Sequence, residues 1–339
     1  VSAESQTWLD ENILVGMTAA RGDAWHRLEG NAGDNSFAGP VPIERVRDLL
    51  ARYEAVEVPV EYNDTHEIIP GVKALRRAST GDFYKIFSEG YQIHGYGQWL
   101  VDKVGDILDA VPGDLVIANA GGLANGAIAF VQIEAPESFK AAMGVEFRPN
   151  FTAVTSLNGR FATTYKWMNT NTVCDNTLAA GMSEESLQAK FKHTSKSLGN
   201  ITKLRADLAL DFLNKIAEEF AAQIEMLGSI PVSDAQWAKF FDLAVPLTNV
   251  KTGEPLKGRA LTLAEHKRED LTQLSTTDPM CAPWHDNAFG PVQTMNTYDQ
   301  WVSATRGKDR QERNFMNALS GDMFKLDATT VEQIVSVTS

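Results

Sequence analysis

Apolar residues in this chain change their period near Gly181, and that change limits the folds open to it. Before it, short runs pair or alternate as strands do. After it, Leu187, Phe191, Leu198, Ile201, Leu204, Leu208 and their successors to Leu227 recur every three or four residues. That is the spacing of one helix face and predicts a long helix over 183–228. Ser183 is placed to cap its start and Gly228 to end it, and Gly199-Asn200 marks a kink or break inside it.

The earlier part reads as hairpins. "VEVPVEY" alternates, and Pro59 assigns it to a sheet edge. "VKALRRA" and "FYKIF" flank "STGD", with Gly81 in the turn. "FTAVTS" and "RFATTYKW" flank Asn158-Gly159, a pair that favours a type I′ turn with positive φ at both residues. "LVIANA" and "AIAFVQI" read as strands joined by "GGLANG". Two helices fall among them. "PIERVRDLLARY" begins with Pro42 in its first turn and lines up Ile43, Val46, Leu49 and Leu50, and "GQWLVDKVGDILDA" is predicted to cross the sheet.

The fold class is therefore α+β: an antiparallel sheet built from hairpins with a crossing helix, followed by a long helix and a mainly helical C-terminal part. The expected organisation is an arm over 1–40, rich in Gly, Asn and Asp, then an α+β core over 41–182. The helix over 183–228 and a helical region over 229–339 follow. At 43% hydrophobic and 22% charged residues the chain can build a real core. No apolar run approaches the roughly 20 residues that span a bilayer. The first residues lack a basic leader before an apolar stretch, and Cys174 and Cys281 make no disulfide framework, so a cytoplasmic protein is expected.

Net charge is −13, which disfavours a surface coated in nucleic acid. The basic residues are nonetheless unevenly spread. From Ser186 to Ala206 the chain carries Lys190, Lys192, Lys196, Lys203 and Arg205, with His193, and no acid. On a helix, Lys192, Lys196 and Lys203 fall on one side, opposite the apolar stripe, where they can meet phosphates. An ordinary solvated face is the plainer reading. The hairpin before it adds Arg148, Arg160 and Lys166 for phosphates, and Tyr165 and Trp167 for base stacking. Tyr165 and Trp167 share one strand face and Lys166 takes the other.

Other chemistry is thinly signalled. "NTNTVCDNT" is rich in side chains that cap backbone, and reads as the hinge into the helical region with Cys174 as a packing residue. A Cys174 nucleophile would need a base such as His193. The six histidines are scattered, and "CAPWHD" has no second ligand cluster. The fingerprints of dinucleotide folds and phosphate loops are absent, as are a Gly-x-Ser-x-Gly elbow and a catalytic carboxylate pair.

Several segments carry a family resemblance. They are "AWHRLEG", "VRDLLARYEAVEVPVEY", "TGDFYKIFSEGYQIH", "NAGGLANGAIAFVQIE", "SLNGRFATTYKWMNTNTVCDNTL", "KHTSKS" and "AFGPVQTMNTYDQW". In this order they resemble the phage/plasmid-like proteins of the domain-of-unknown-function 932 type. The resemblance implies a mobile-element origin and no established activity. "SLNGR" stands where such proteins often carry His-Asp-Gly, which argues against catalysis at that turn. In layout, a helix, long hairpins and a basic helix are also similar to the core of phage single-strand annealing proteins, which form rings or filaments. The expectation is a non-enzymatic oligomer that binds single-stranded nucleic acid and requires no metal or nucleotide. A structural or host-interaction protein and a Cys174-dependent enzyme are the alternatives.

Overall fold

The computed structural model describes residues 11–21, 34–171, 177–178, 188–194, 207–305 and 310–339. The chain divides into two compact units that interleave in sequence. One comprises Val1–Glu137, Pro149–Trp167 and Glu185–Asn214, and the other Ser138–Arg148, Met168–Glu184 and Lys215–Ser339.

The first unit is an antiparallel sheet with a helix layer, beside a separate three-stranded sheet. The main sheet contains β1 (Ile13–Val15), β5 (Val116–Leu123), β6 (Ile128–Glu134), β8 (Glu146–Ser156) and β9 (Thr163–Asn171), in that order, and the short strands β7 (Phe139–Lys140) and β10 (Thr177–Leu178) pair with the ends of β8 and β9 that belong to the second unit. The short strand β11 (Gln188–Phe191) pairs antiparallel with β9, Lys190 facing Thr164 and Phe191 facing Thr163. The arm is thus not wholly irregular, because β1 joins the sheet through Ile13↔Gly121. The second sheet is the meander β2 (Ala55–Glu61), β3 (Ile68–Arg77) and β4 (Phe83–Ser88). As expected, β2 is an edge strand, Gly81 turns the β3–β4 hairpin with φ +80°, and the β2–β3 register shifts at Pro59.

Helix α1 (Ile43–Ala51) buries Val46, Leu49 and Leu50 along one stripe. Each such burial stabilises by about 2 kcal/mol before entropy is counted. The crossing helix opens with a π-helical turn, Gly97–Asp102, that buries Trp99, Leu100 and Val101, and continues as α2 (Lys103–Ala110). Gly105 lets α1 approach, since a Cβ there would lie 3.2 Å from Ile43 Cδ1.

"AGGLANG" is explained by Tyr53, the fully buried residue just after α1. A Cβ on Gly122 would stand 2.6 Å from the Tyr53 ring, and one on Gly126 2.1 Å from it. Gly121 and Gly122 lie inside β5, and the turn proper is Ala124, Asn125 and Gly126, all at positive φ. The glycines are there for close packing and a left-handed turn, with no phosphate role required.

The β8–β9 hairpin forms as expected, but its turn differs. The strands are joined by six residues, 157–162, and only Gly159 has positive φ (+70°). Asn158 instead accepts the Arg160 N–H through its side chain (3.1 Å), and Ser156 Oγ both donates to the Phe161 carbonyl and accepts its N–H, at 2.9 Å each. A wide side-chain-braced loop replaces the two-residue type I′ turn.

The larger correction concerns 183–228. Gln188–Phe191 is the strand β11, so a helix starting at Ser183 is excluded there, and the described helix α3 runs Asp207–Ser229. The helical spacing holds where it is described: Ile216, Phe220, Ile224 and Leu227 are buried. Gly228 lies in the last turn, where a Cβ would sit 1.7 Å from Met143 Sδ. The proposed cap Ser183, the Gly199-Asn200 break and Cys174 lie outside the described residues.

The second unit carries α3 from Lys215 onward with α4 (Asp234–Ala244), α5 (Arg259–Thr277), α6 (Phe289–Thr297), α7 (Arg310–Ser320) and α8 (Asp322–Thr338). A capping box of Ser233 and Gln236 starts α4. Every residue of α6 is buried. Its polar side chains therefore need internal partners. Asn296 donates to Asp327 Oδ1 at 2.7 Å and accepts from Gln300. "AFGPVQTMNTYDQW" is thus the central helix of this unit and the π-helical turn Tyr298–Val302 after it. Among the described residues no helix is long and apolar enough to cross a membrane.

Candidate functional site

The residues expected to contact nucleic acid divide by exposure. Arg160, Lys190 and Lys192 are exposed. Tyr165 and Lys166 are fully buried, which corrects their expected place at a surface. The Tyr165 hydroxyl donates to the Trp99 carbonyl. Trp167 is half-buried and edge-on to Phe151, with ring centroids 4.9 Å apart. Tyr165 and Trp167 do share a face, since both rings pack on Phe151. Lys166, on the other face of β9, is enclosed as well. Arg148, in the second unit, is buried too at 8% exposure. Lys196, Lys203 and Arg205 lie outside the described residues.

The first unit also holds a column of five rings. From the outside inward they are Phe87, Tyr91, His193, His94 and Trp99. Their centroids are separated by 3.8, 4.8, 4.0 and 3.6 Å, with no interplanar angle above 17°. Phe87 stands on β4, Tyr91, His94 and Trp99 come from the stretch that follows it into the crossing helix, and His193 comes from the residues just after β11. The outer end is half-buried and the inner end closed: His94 is 1% exposed and Trp99 is wholly buried.

A hydrogen-bonded wire ties this column to the sheet. His193 Nδ1 lies 3.1 Å from the Gln92 carbonyl and His193 Nε2 lies 3.4 Å from Thr155 Oγ1. Thr155 Oγ1 is 2.7 Å from Thr163 Oγ1, which is 2.6 Å from His94 Nδ1. A carbonyl only accepts, so His193 carries its proton on Nδ1 and accepts from Thr155 at Nε2. Each hydroxyl has one proton to give. Thr163 therefore donates to Thr155, and His94 Nδ1 donates to Thr163. The direction of the wire leaves His94 Nε2 a bare acceptor, buried and without a hydrogen-bond partner.

Both imidazoles are held neutral. Burial, and then the neighbouring His193, lower the His94 pKa to about 3. Burial also lowers His193, against the carbonyls of Gln92 and Phe161, which favour its charged form. This geometry suits a clasp. It joins β8, β9, the end of β11 and the segment after β4. Among the described residues no three His, Cys, Asp or Glu side chains come together. Burial pushes the Cys281 thiol up to about 11, which suits packing and leaves little thiolate at neutral pH.

Lys85 stands at the outer end of the column, and the loop that carries Arg160 reaches the Phe87 ring there through Gly159. Lys85 Nζ lies 5.6 Å from the Phe87 ring centre. Gly159 rests against that ring, where a Cβ would be 2.8 Å from Phe87 and 3.6 Å from Lys85 Nζ. Arg160 follows Gly159, and Lys192 precedes His193. Lys85, exposed like the others, is a rim member that sequence reasoning missed, and so are His94, Thr155 and Thr163. The one available signal was that His94, Thr163 and His193 each fall in a segment that carried the family resemblance.

A family model described as "Domain of unknown function (DUF932)" matches residues 84–319. That is well over half of the chain. The chain belongs to this family. No curated protein matches it, and no solved structure does. The DUF932 span begins within β4 and takes in every member of the wire and all five rings, whereas β2 and β3 precede it.

Proposed function

We propose that this protein binds single-stranded nucleic acid on the basic rim of its first unit. It works as an oligomer encoded by a phage or plasmid, with strand annealing during recombination as the process it serves. The observation that supports this most is that Lys85, Arg160, Lys190 and Lys192 are all exposed, on β4, β11 and the loops beside them, in a chain of net charge −13. Cations that hold phosphates next to aromatic side chains are the usual composition of a single-strand surface. The histidine clasp has a supporting part, keeping the loop of Arg160 and the end of β11 together. Binding of this kind needs neither a metal nor a nucleotide.

Absorbance and mass of the protein purified in low salt test the reading together. The expected result is an excess of absorbance at 260 nm that nuclease or high salt removes, on a species heavier than one chain. A chain free of nucleic acid at low salt, in stoichiometric complex with a host protein, would replace this reading with that of a host-interaction protein.

A further inference from the structure

The three-stranded sheet has two edges of unlike character. The β2 edge is closed in the ways edges usually are: Pro59 cannot donate, the register slips beside it, and Glu57 and Glu61 project from it. The β4 edge has no proline, and among the described residues no fourth strand pairs with it. Its side chains are also unusually apolar for an open edge. Register places Val56, Arg76 and Phe83 in one row of the sheet and Val58, Ala74 and Ile86 in the next, on the same face. On that face Val56 is 39% exposed, Ile86 46% and Phe83 64%.

We infer that β4 pairs antiparallel with β4 of a second copy about a two-fold axis, joining two meanders into one six-stranded sheet. The inference develops the oligomer in the proposed function and does not depend on the nucleic acid. A two-fold axis normal to the sheet keeps each side chain on its own face, so only like-facing residues can oppose each other. Three registers then remain near the middle of the strand: Lys85, Ile86 or Phe87 opposite itself. The first sets two ammonium groups face to face, which is destabilising. The third leaves Phe83 with no residue across from it. The register centred on Ile86 places Ile86 against Ile86 and Lys85 against the second copy's Phe87. It joins the two exposed apolar rows across the axis and keeps the lysines apart. A closed edge on β2 ends the assembly of this sheet at two copies.

Cysteine bridging tests the register. In a Cys174→Ser background, Ile86→Cys sets the two thiols directly opposite, with Cα atoms about 5 Å apart and within reach of a disulfide. Lys85→Cys sets its Cα atoms about 8 Å apart, beyond that reach. Mild oxidation is expected to convert most of the Ile86→Cys protein to a covalent dimer and little of Lys85→Cys. Ile86→Lys is expected to weaken the dimer tenfold or more by sedimentation, and its circular dichroism should not change, because the side chain is exposed. Bridging of Lys85→Cys as readily as Ile86→Cys would overturn the register, and a parent protein that is oligomeric without an Ile86→Cys bridge would overturn the interface. Oligonucleotide binding measured on the Ile86→Cys and Ile86→Lys variants, which keep every rim cation, separates the two ideas. Binding intact in a protein that fails to bridge removes this interface alone, and a bridge formed in a protein that binds no oligonucleotide leaves it standing.

Discussion

His94 shows how much a single residue can depend on others far away in sequence. Its ring is stacked on both faces, its Nδ1 proton is committed to Thr163, and its Nε2 is buried. Charging it would place a cation in a closed site beside a second imidazole. The folded pKa, about 3, lies below the roughly 6.5 of an unfolded histidine. The unfolded chain therefore binds more protons below pH 6.5. Stability from this residue is complete above that pH and is lost as the pH falls towards 3. Between pH 6.5 and 5 the loss is about 2 kcal/mol, and His193 adds to it in the same direction. Urea denaturation of His94→Phe is expected to show a shallower loss over this interval than the parent. Equal acid sensitivity in the two proteins would remove His94 as its source. None of this was legible from the sequence, where the histidines look scattered: His193 meets the Gln92 carbonyl across 101 positions.

At the scale of elements, local signals were read well and neighbours decided the rest. Gly81, Pro59 and the stripe Val46, Leu49 and Leu50 each act through local geometry, and each element formed where expected. β11 did not. "QAKF" follows a helical spacing, yet hydrogen bonds to β9 draw it into the sheet, since a four-residue stretch has too little propensity of its own to resist tertiary pairing. Lys166 and Tyr165 were misplaced for a related reason. Alternation predicts one wet face for an antiparallel strand, but β9 is covered on both, Tyr165 on one and Lys166 on the other. The glycines of β5 and its turn belong to this scale too. Gly126→Ala is expected to destabilise by about 2–4 kcal/mol, from the overlap with Tyr53 and the left-handed backbone. The same change in a Tyr53→Ala background should cost distinctly less, because the ring it strikes is gone. Additive costs in denaturation experiments would refute the contact.

For the molecule as a whole, the sequence offered a sound fold class and a family, and the basic segment offered only part of an interface. Its described cations, Lys190 and Lys192, are exposed, and Lys190 stands on the strand β11 and not on a helix face, while Lys85 and the loop of Arg160 meet at the Phe87 ring. The acidity of the rest of the chain sets the conditions under which such a rim can act: attraction must be local and will weaken steeply with salt. Each phosphate held on a single strand contributes about 0.7 to the slope of log affinity against log salt. Four cations give a slope of about −3. The decisive measurement is the fluorescence anisotropy of a labelled single-stranded oligonucleotide titrated with protein at several salt concentrations. It compares the parent with the triple variant Arg160→Gln, Lys190→Gln, Lys192→Gln. The predicted result is binding whose salt slope becomes shallower by about 2 in the variant, with its melting temperature unchanged. Absence of binding by the parent, or binding that neither salt nor these substitutions alter, would contradict the account.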